Sequence, residues 1–76
     1  MDAKISFLYP SEDGGHSYVS ATVGAGLAER LSQLIDAEDS GEIRITHVIV
    51  DGEPQGWGNF RPDQISRYKI GDRRAA

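Results

Sequence analysis

The residues best suited to bind a nucleotide are two glycines and an aspartate, Gly24, Gly26 and Asp51, in a strand–helix–strand order. Glycines let the backbone approach a pyrophosphate at a helix N-terminus, and an aspartate after the next strand can accept a hydrogen bond from a ribose hydroxyl. The third glycine position of this fingerprint holds Glu29, whose charge repels phosphate, and 76 residues are too few for a doubly wound domain. A tight strand-to-helix turn explains these glycines better, and we expect no cofactor.

Other groups that could support catalysis or metal binding are sparse. The chain has two histidines, His16 and His47, and no cysteine, and neither histidine has a second ligand type at a recognised spacing. Serines such as Ser17, Ser20 and Ser66 are the candidate nucleophiles, but none lies in a Gly-x-Ser-x-Gly turn. No pattern marks a carboxylate pair with divergent pKa values. We therefore expect no metal site, no catalytic residue and no enzymatic activity.

Charged residues are distributed unevenly along the chain. The net charge is −4, but residues 1–53 contain ten acidic and three basic residues, a net −7, whereas residues 54–76 contain two acidic and five basic residues, a net +3. Such asymmetry is typical of segments that face different partners. The alternative is that both segments form solvated surface and neutralise each other within the fold.

The acidic part supplies the first set of candidate binding residues. A negative surface attracts and orients a basic partner, and aromatic residues in a glycine-rich segment can act as interface anchors. The predicted partner-binding residues are Asp36, Glu38, Asp39, Glu42, Asp51, Glu53, Trp57 and Phe60. We expect a protein partner with a basic surface, and a chain that is a monomer or a homodimer.

A small acidic domain without catalytic groups can also occupy a nucleic-acid-binding surface, because its carboxylates imitate phosphates. In this respect the chain is similar to many anti-CRISPR proteins, which are inhibitors encoded by mobile elements. The likeness is one of size and charge, and no motif identifies a family. It implies a non-catalytic inhibitor that occupies a basic surface of a larger nucleic-acid-handling complex.

The basic C-terminal segment supports an alternative function, the binding of single-stranded nucleic acid. Cationic side chains contact phosphates while aromatic rings stack on bases. The candidate residues for this function are Arg61, Arg67, Tyr68, Lys69, Arg73 and Arg74. Because carboxylates outnumber cationic side chains over the whole chain, we expect a protein partner rather than a nucleic acid.

The elements that position these residues are predicted from apolar periodicity. Residues 4–9 and 17–23 alternate between apolar and polar side chains on either side of a glycine-containing turn, which predicts a β-hairpin. Apolar residues at helical spacing predict a helix over residues 25–37. The β-branched run Ile43–Val50 predicts a strand.

The remainder of the chain has weaker patterns. Residues 51–60, with three glycines and a proline, predict turns and irregular loop. Residues 62–70 allow helix or strand, and Pro62 favours a helical turn that runs into a strand. The predicted architecture is a small two-layer α+β domain of order β-β-α-β-β, with one sheet and a helix packed on one face.

The predicted domain covers residues 1–71, followed by a flexible tail at residues 72–76. No apolar stretch in the sequence is long enough to span a membrane, and the first residues lack a basic region followed by an apolar run. With no cysteine to form disulfides, these features predict a cytoplasmic protein.

Overall fold

The computed structural model describes residues 2–73, which form a small α+β domain with one five-stranded antiparallel sheet and one α-helix. In chain order the elements are β1 (Asp2–Pro10), β2 (His16–Gly24), α1 (Ala25–Asp36), β3 (Ile43–Val50), β4 (Glu53–Phe60), a 3-10 helix (Pro62–Gln64) and β5 (Ser66–Arg73). Within the sheet the strand order is β4-β3-β2-β1-β5. The predicted α+β class is confirmed, but the element order is β-β-α-β-β-β.

The predicted hairpin is confirmed as β1 and β2, which pair from Asp2 opposite Gly24 to Pro10 opposite His16. The turn between them is closed by the Ser11 N–H, which donates to the Gly15 carbonyl (2.9 Å). Burial alternates from Asp2 to Phe7 and along β2, so one face of the hairpin is apolar and buried and the other is more open.

The buried side chains define an inner face of the sheet. From β1 and β2 they are Ala3, Ile5, Phe7, Val19, Ala21 and Val23. Helix α1 contributes Ala28 and Leu31 to the same apolar cluster, and Leu31 is only 1% exposed. Full burial of a leucine side chain stabilises a fold by about 1.5–3 kcal/mol, so this contact holds the helix against the inner face. The opposite side of the sheet is called the outer face below.

Strand β3 follows the predicted range but contains a bulge. Its buried residues Ile45 and Val48 are three positions apart, and His47 between them has a φ of +57°. The pairing with β4 shifts register at the same place. A bulge inserts one extra residue and increases the local twist. As a result β3 pairs with β2 at only two positions, Val19 opposite Val50 and Ser20 opposite Ile49.

The prediction of irregular loop over residues 51–60 is wrong, because Glu53–Phe60 forms strand β4. Pro54 and the glycines lower strand propensity, but β4 is an edge strand, where proline is tolerated. Gly56 has a φ of +79°, next to a shift in register. A Cβ at Gly58 would lie 3.0 Å from the Phe60 ring, so the missing side chain makes room for that ring.

The predicted helical turn followed by a strand is confirmed as the 3-10 helix Pro62–Gln64 and β5, which pairs with β1. The predicted tail at residues 72–76 overlaps β5 at Asp72 and Arg73, and residues 74–76 lie outside the described residues. Within the described part of the chain, no helix is long and apolar enough to cross a membrane.

Candidate protein-binding site

The C-terminus of α1 is closed by a Schellman motif with an unusual residue at its centre. The Asp39 N–H donates to the Leu34 carbonyl and the Glu38 N–H donates to the Ile35 carbonyl, both at 3.0 Å. Glu38 has a φ of +52°, in the left-handed region. Glycine is the usual residue at this position because it has no Cβ. The chain therefore places a glutamate where the backbone favours glycine.

The loop that follows is held by further hydrogen bonds. The Gly41 N–H donates to Asp39 Oδ1 (2.7 Å), and the Asp39 carbonyl accepts from the Asp63 N–H (3.0 Å). One turn earlier, the Tyr68 hydroxyl donates to Asp36 Oδ1 (3.2 Å). These contacts connect the helix end to the 3-10 helix and to β5, so the backbone that presents the carboxylates is fixed.

The predicted carboxylates at this end of the helix form an acidic cluster, consisting of Asp36, Glu38, Asp39 and Glu42. All four residues are exposed. The last turn of α1 contains no basic residue, and within residues 2–71 the ion pair found is the one between Arg61 and Asp63 (2.7 Å). None of the carboxylates of the acidic cluster is therefore in an ion pair within residues 2–71, and the cluster also faces the negative end of the helix dipole.

A shallow groove of about 330 Å³ lies between α1 and the start of β3, beside the acidic cluster. Its apolar residues are Leu27, Leu34 and Ile43, and its polar lining is Arg30, Asp39, Gly41 and Glu42. We call this site the acidic groove. An apolar side chain of a partner can fill it while a neighbouring cation reaches the carboxylates at its rim.

Sequence reasoning missed the apolar part of this groove. Leu27 and Leu34 belong to the apolar stripe that predicts the helix, and such a stripe is usually buried in full. The structure leaves both only half-buried, because the central contacts of α1 are made by Ala28 and Leu31. A stripe that is wider than the buried core is the signal that could have indicated the groove.

Two predicted partner-binding residues, Asp51 and Glu53, lie elsewhere. Asp51 is in the β3–β4 turn and Glu53 begins β4, so both lie at the other end of β3 from the acidic groove, a span of up to about 23 Å for seven residue steps. Asp51 bonds to β2, where its Oδ1 accepts from the Tyr18 N–H (2.9 Å). The structure therefore does not join these carboxylates to the acidic cluster.

The two predicted aromatic anchors lie in different environments. Trp57 is 56% exposed, and the guanidinium carbon of Arg44 lies 4.6 Å from its ring centroid. Phe60 is only 7% exposed, and its ring packs edge-on against Phe7 (5.4 Å) and Tyr9 (5.0 Å). Phe60 is thus a core residue, and Trp57 alone is available to a partner.

The residues predicted for nucleic-acid binding are also separated. Arg61 is paired with Asp63, whereas Tyr68 is half-buried against the core cluster and bonds to Asp36. Lys69 pairs with Ser6, whose side chain alternates away from the core. Tyr68 and Lys69 therefore face opposite sides of the sheet. Arg67 and Arg73 both belong to β5, where Arg67 has a φ of +50°. Arg74 lies outside the described residues.

The glycine pair and Asp51 do not form a nucleotide site. Gly24 ends β2, whereas Asp51 bonds to Tyr18 near the start of that strand. Six residues of extended strand separate the two places by about 20 Å. Within residues 2–71, no group of three or more histidine, aspartate or glutamate side chains is arranged to hold a metal ion. The chain matches no protein-family model, no curated protein and no solved structure.

Proposed function

We propose that the protein is a non-catalytic protein-binding module whose acidic groove receives a basic, partly apolar segment of a protein partner. The observation that carries this proposal is Glu38, which occupies a position that favours glycine and lies at the negative end of a helix dipole. A left-handed conformation costs a non-glycine residue about 1–2 kcal/mol, and a carboxylate at a helix C-terminus costs about 0.3–1 kcal/mol. Glycine at position 38 would avoid both costs.

A residue type that is unfavourable for its backbone conformation is expected at functional sites rather than at positions that only support the fold. Glu38 is exposed and makes no side-chain hydrogen bond or ion pair within the described residues, so nothing in the fold compensates for it. A cationic partner would compensate, because it would neutralise the acidic cluster. The favourable interaction is therefore expected in the complex rather than in the free protein.

The acidic groove also defines the chemistry of the partner. Its carboxylates select lysine or arginine, and its three half-buried apolar side chains select an adjacent aliphatic or aromatic residue. A nucleic-acid-binding surface offers such cations, so the sharper form of the proposal is an inhibitor that occupies that surface in the cytoplasm. In this proposal the domain has two layers, the sheet and the helix, and the helix layer presents the acidic groove to the partner.

Nucleic-acid binding by the C-terminal segment is the weaker candidate. Arg61 and Tyr68 are engaged with carboxylates of the same chain, Asp63 and Asp36. Both would have to leave these partners to contact a nucleic acid, and Tyr68 would also have to leave the core cluster.

The proposal is tested by charge reversal with a matched control. The variant Glu38→Lys, Asp39→Lys, Glu42→Lys reverses three charges of the cluster, and a control with three exposed carboxylates outside the cluster, Glu12→Lys, Glu29→Lys, Glu53→Lys, has the same net charge. Each protein is used to capture partners from extract of the native host, with quantitative mass spectrometry. We expect a partner that wild type and control retain and the cluster variant loses. Equal capture by all three proteins would contradict the proposal.

A further inference from the structure

The outer face differs in composition from the helix side. The large hydrophobic side chains that are exposed within residues 2–73, Tyr18, Ile49 and Trp57, occur on three adjacent strands. Strand alternation places all three on the outer face, opposite the side of the buried Val19, Val48 and Phe60. Large exposed apolar patches often mark binding sites.

The charges on the outer face are mainly positive. Alternation and register place three cations there, Lys4, Arg44 and Lys69, against one carboxylate, Asp2. Lys69 also begins a straight row across four strands, because Lys69 pairs with Ser6, Ser6 with Ser20, and Ser20 with Ile49. The acidic cluster, by contrast, lies at the helix end. The two sides of the domain are therefore suited to partners of opposite charge.

A cleft of about 440 Å³ opens on the outer face where β2 and β3 separate. It is lined by Lys4, Ser20, Ala21, Thr22, His47 and Ile49. The bulge at His47 causes this separation, since the two strands stop pairing directly after Ser20 and Ile49. An ammonium group, two hydroxyls and an imidazole thus surround one concave site.

Backbone groups of β2 also point into the cleft. The Tyr18 N–H donates to Asp51 Oδ1, and the Tyr18 carbonyl accepts from the Asp51 N–H, so the polar backbone groups of Tyr18 point toward β3. With a period of two, those of Ser20 and Thr22 point the same way. No residue of β3 pairs with Thr22. The exposed Thr22 side chain lines the cleft together with Lys4, so a hydroxyl and an ammonium group act as donors there, and a phosphate oxygen suits this combination.

We propose that the outer face binds single-stranded nucleic acid, with a phosphate in the cleft beside Lys4 and Thr22 and a base stacked on the exposed side of Trp57. Trp57 is opposite Thr46, the neighbour of His47, so the ring and the cleft are adjacent. The guanidinium of Arg44 over the same ring adds a positive charge at that end. A single strand is selected over a duplex because stacking on a side chain requires an unpaired base.

Charge complementarity decides against the other occupants of this face. A second copy docked face to face would oppose cations with cations, which disfavours it. An acidic protein would satisfy the cations but would offer no base to stack on Trp57. This site is independent of the acidic groove, so either proposal can fail without the other.

Trp57 is the only tryptophan, so its fluorescence reports directly on this face. Titration with an unlabelled oligothymidine of about 15 nucleotides should quench the emission at low salt. With three phosphate contacts and a slope of about −0.7 per contact, a tenfold rise in salt should weaken binding by about 100-fold. Absence of quenching at low salt would overturn the proposal. So would polyglutamate that competes for the site as well as oligothymidine does, or self-association of the protein that accounts for the quenching.

Variants locate the site by fluorescence anisotropy with a labelled oligonucleotide. Trp57→Ala should weaken binding by roughly 5- to 150-fold, the loss of one stacked base. Lys4→Gln should weaken binding and make the salt slope shallower by about 0.7. The matched control Arg61→Gln also removes one positive charge, but from a residue outside this face. It should leave both the affinity and the salt slope unchanged. If Lys4→Gln and Arg61→Gln behaved alike, the proposed site would be wrong.

Discussion

Replacement of Glu38 by glycine should make the isolated protein more stable. The backbone at this residue has a φ of +52° and is fixed by the hydrogen bonds of Glu38 and Asp39 to the last turn of α1. Glycine adopts this conformation without steric cost, and it also removes a negative charge from the negative end of the helix dipole. The same substitution removes one carboxylate from the acidic cluster beside the groove, so partner binding should decrease while stability increases.

The magnitude follows from these two effects. Relief of the left-handed conformation contributes about 1–2 kcal/mol and loss of the charge contributes about 0.3–1 kcal/mol. The greater freedom of glycine in the unfolded chain offsets part of this, by about 0.5–1 kcal/mol. A net gain of about 1 kcal/mol remains, which raises Tm by roughly 4–8 °C in a domain of this size.

Thermal and urea unfolding of purified protein measure this change. Glu38→Gln keeps the side chain and removes the charge, so it should gain only a few tenths of a kcal/mol. Glu29→Gly places glycine within α1, where φ is helical, and should lose about 1 kcal/mol. If Glu38→Gly destabilised the protein as much as Glu29→Gly does, the argument that position 38 favours glycine would be refuted.

Two further predictions concern the core and the hairpin turn. Phe60→Ala should lower the free energy of unfolding by about 3–5 kcal/mol, from a total of about 4–11 kcal/mol. Trp57→Ala should lower it by about 1 kcal/mol or less. Equal losses of both variants in urea unfolding would show that Phe60 is not a core residue. Hydrogen bonds from the Ser11 hydroxyl and the Gly15 N–H lower the pKa of Asp13 below 3.8. The stabilisation from Asp13 is thus present above its unfolded pKa and is lost as pH falls through the folded value. An NMR titration midpoint at or above 3.8 would contradict this assignment.

Most of the elements could be predicted because their residues carry strong periodic signals. Strand β3 matches its β-branched run, and α1 ends at Asp36 with its cap at Ala37, the last residue of the predicted helix. Strand β4 could not be predicted, since Pro54, Gly56 and Gly58 all lower strand propensity. Its pairing with β3 and the packing of Phe60 override that propensity, and both are tertiary effects.

Of the candidate site, only the charged residues could be predicted from the sequence. The acidic cluster is contiguous in sequence, whereas the groove depends on how far Leu27 and Leu34 are buried, which no periodicity specifies. The cleft on the outer face depends on the bulge at His47, and a left-handed histidine has no sequence signature. The separation of Asp51 from the acidic cluster likewise follows from the bounds of β3.

The acidic groove as a protein-binding site is tested most directly by site-specific photo-crosslinking in native host extract. A photoreactive amino acid replaces Glu42 at the rim of the groove, or Glu12 in the β1–β2 turn as a control. The groove position should crosslink to one protein through a basic segment, and reversal of Glu38 and Asp39 to lysine should abolish that crosslink, whereas the control position should give no crosslink to the same protein. Equal crosslinking from both positions, or a crosslink that survives the charge reversal, would contradict the proposed function.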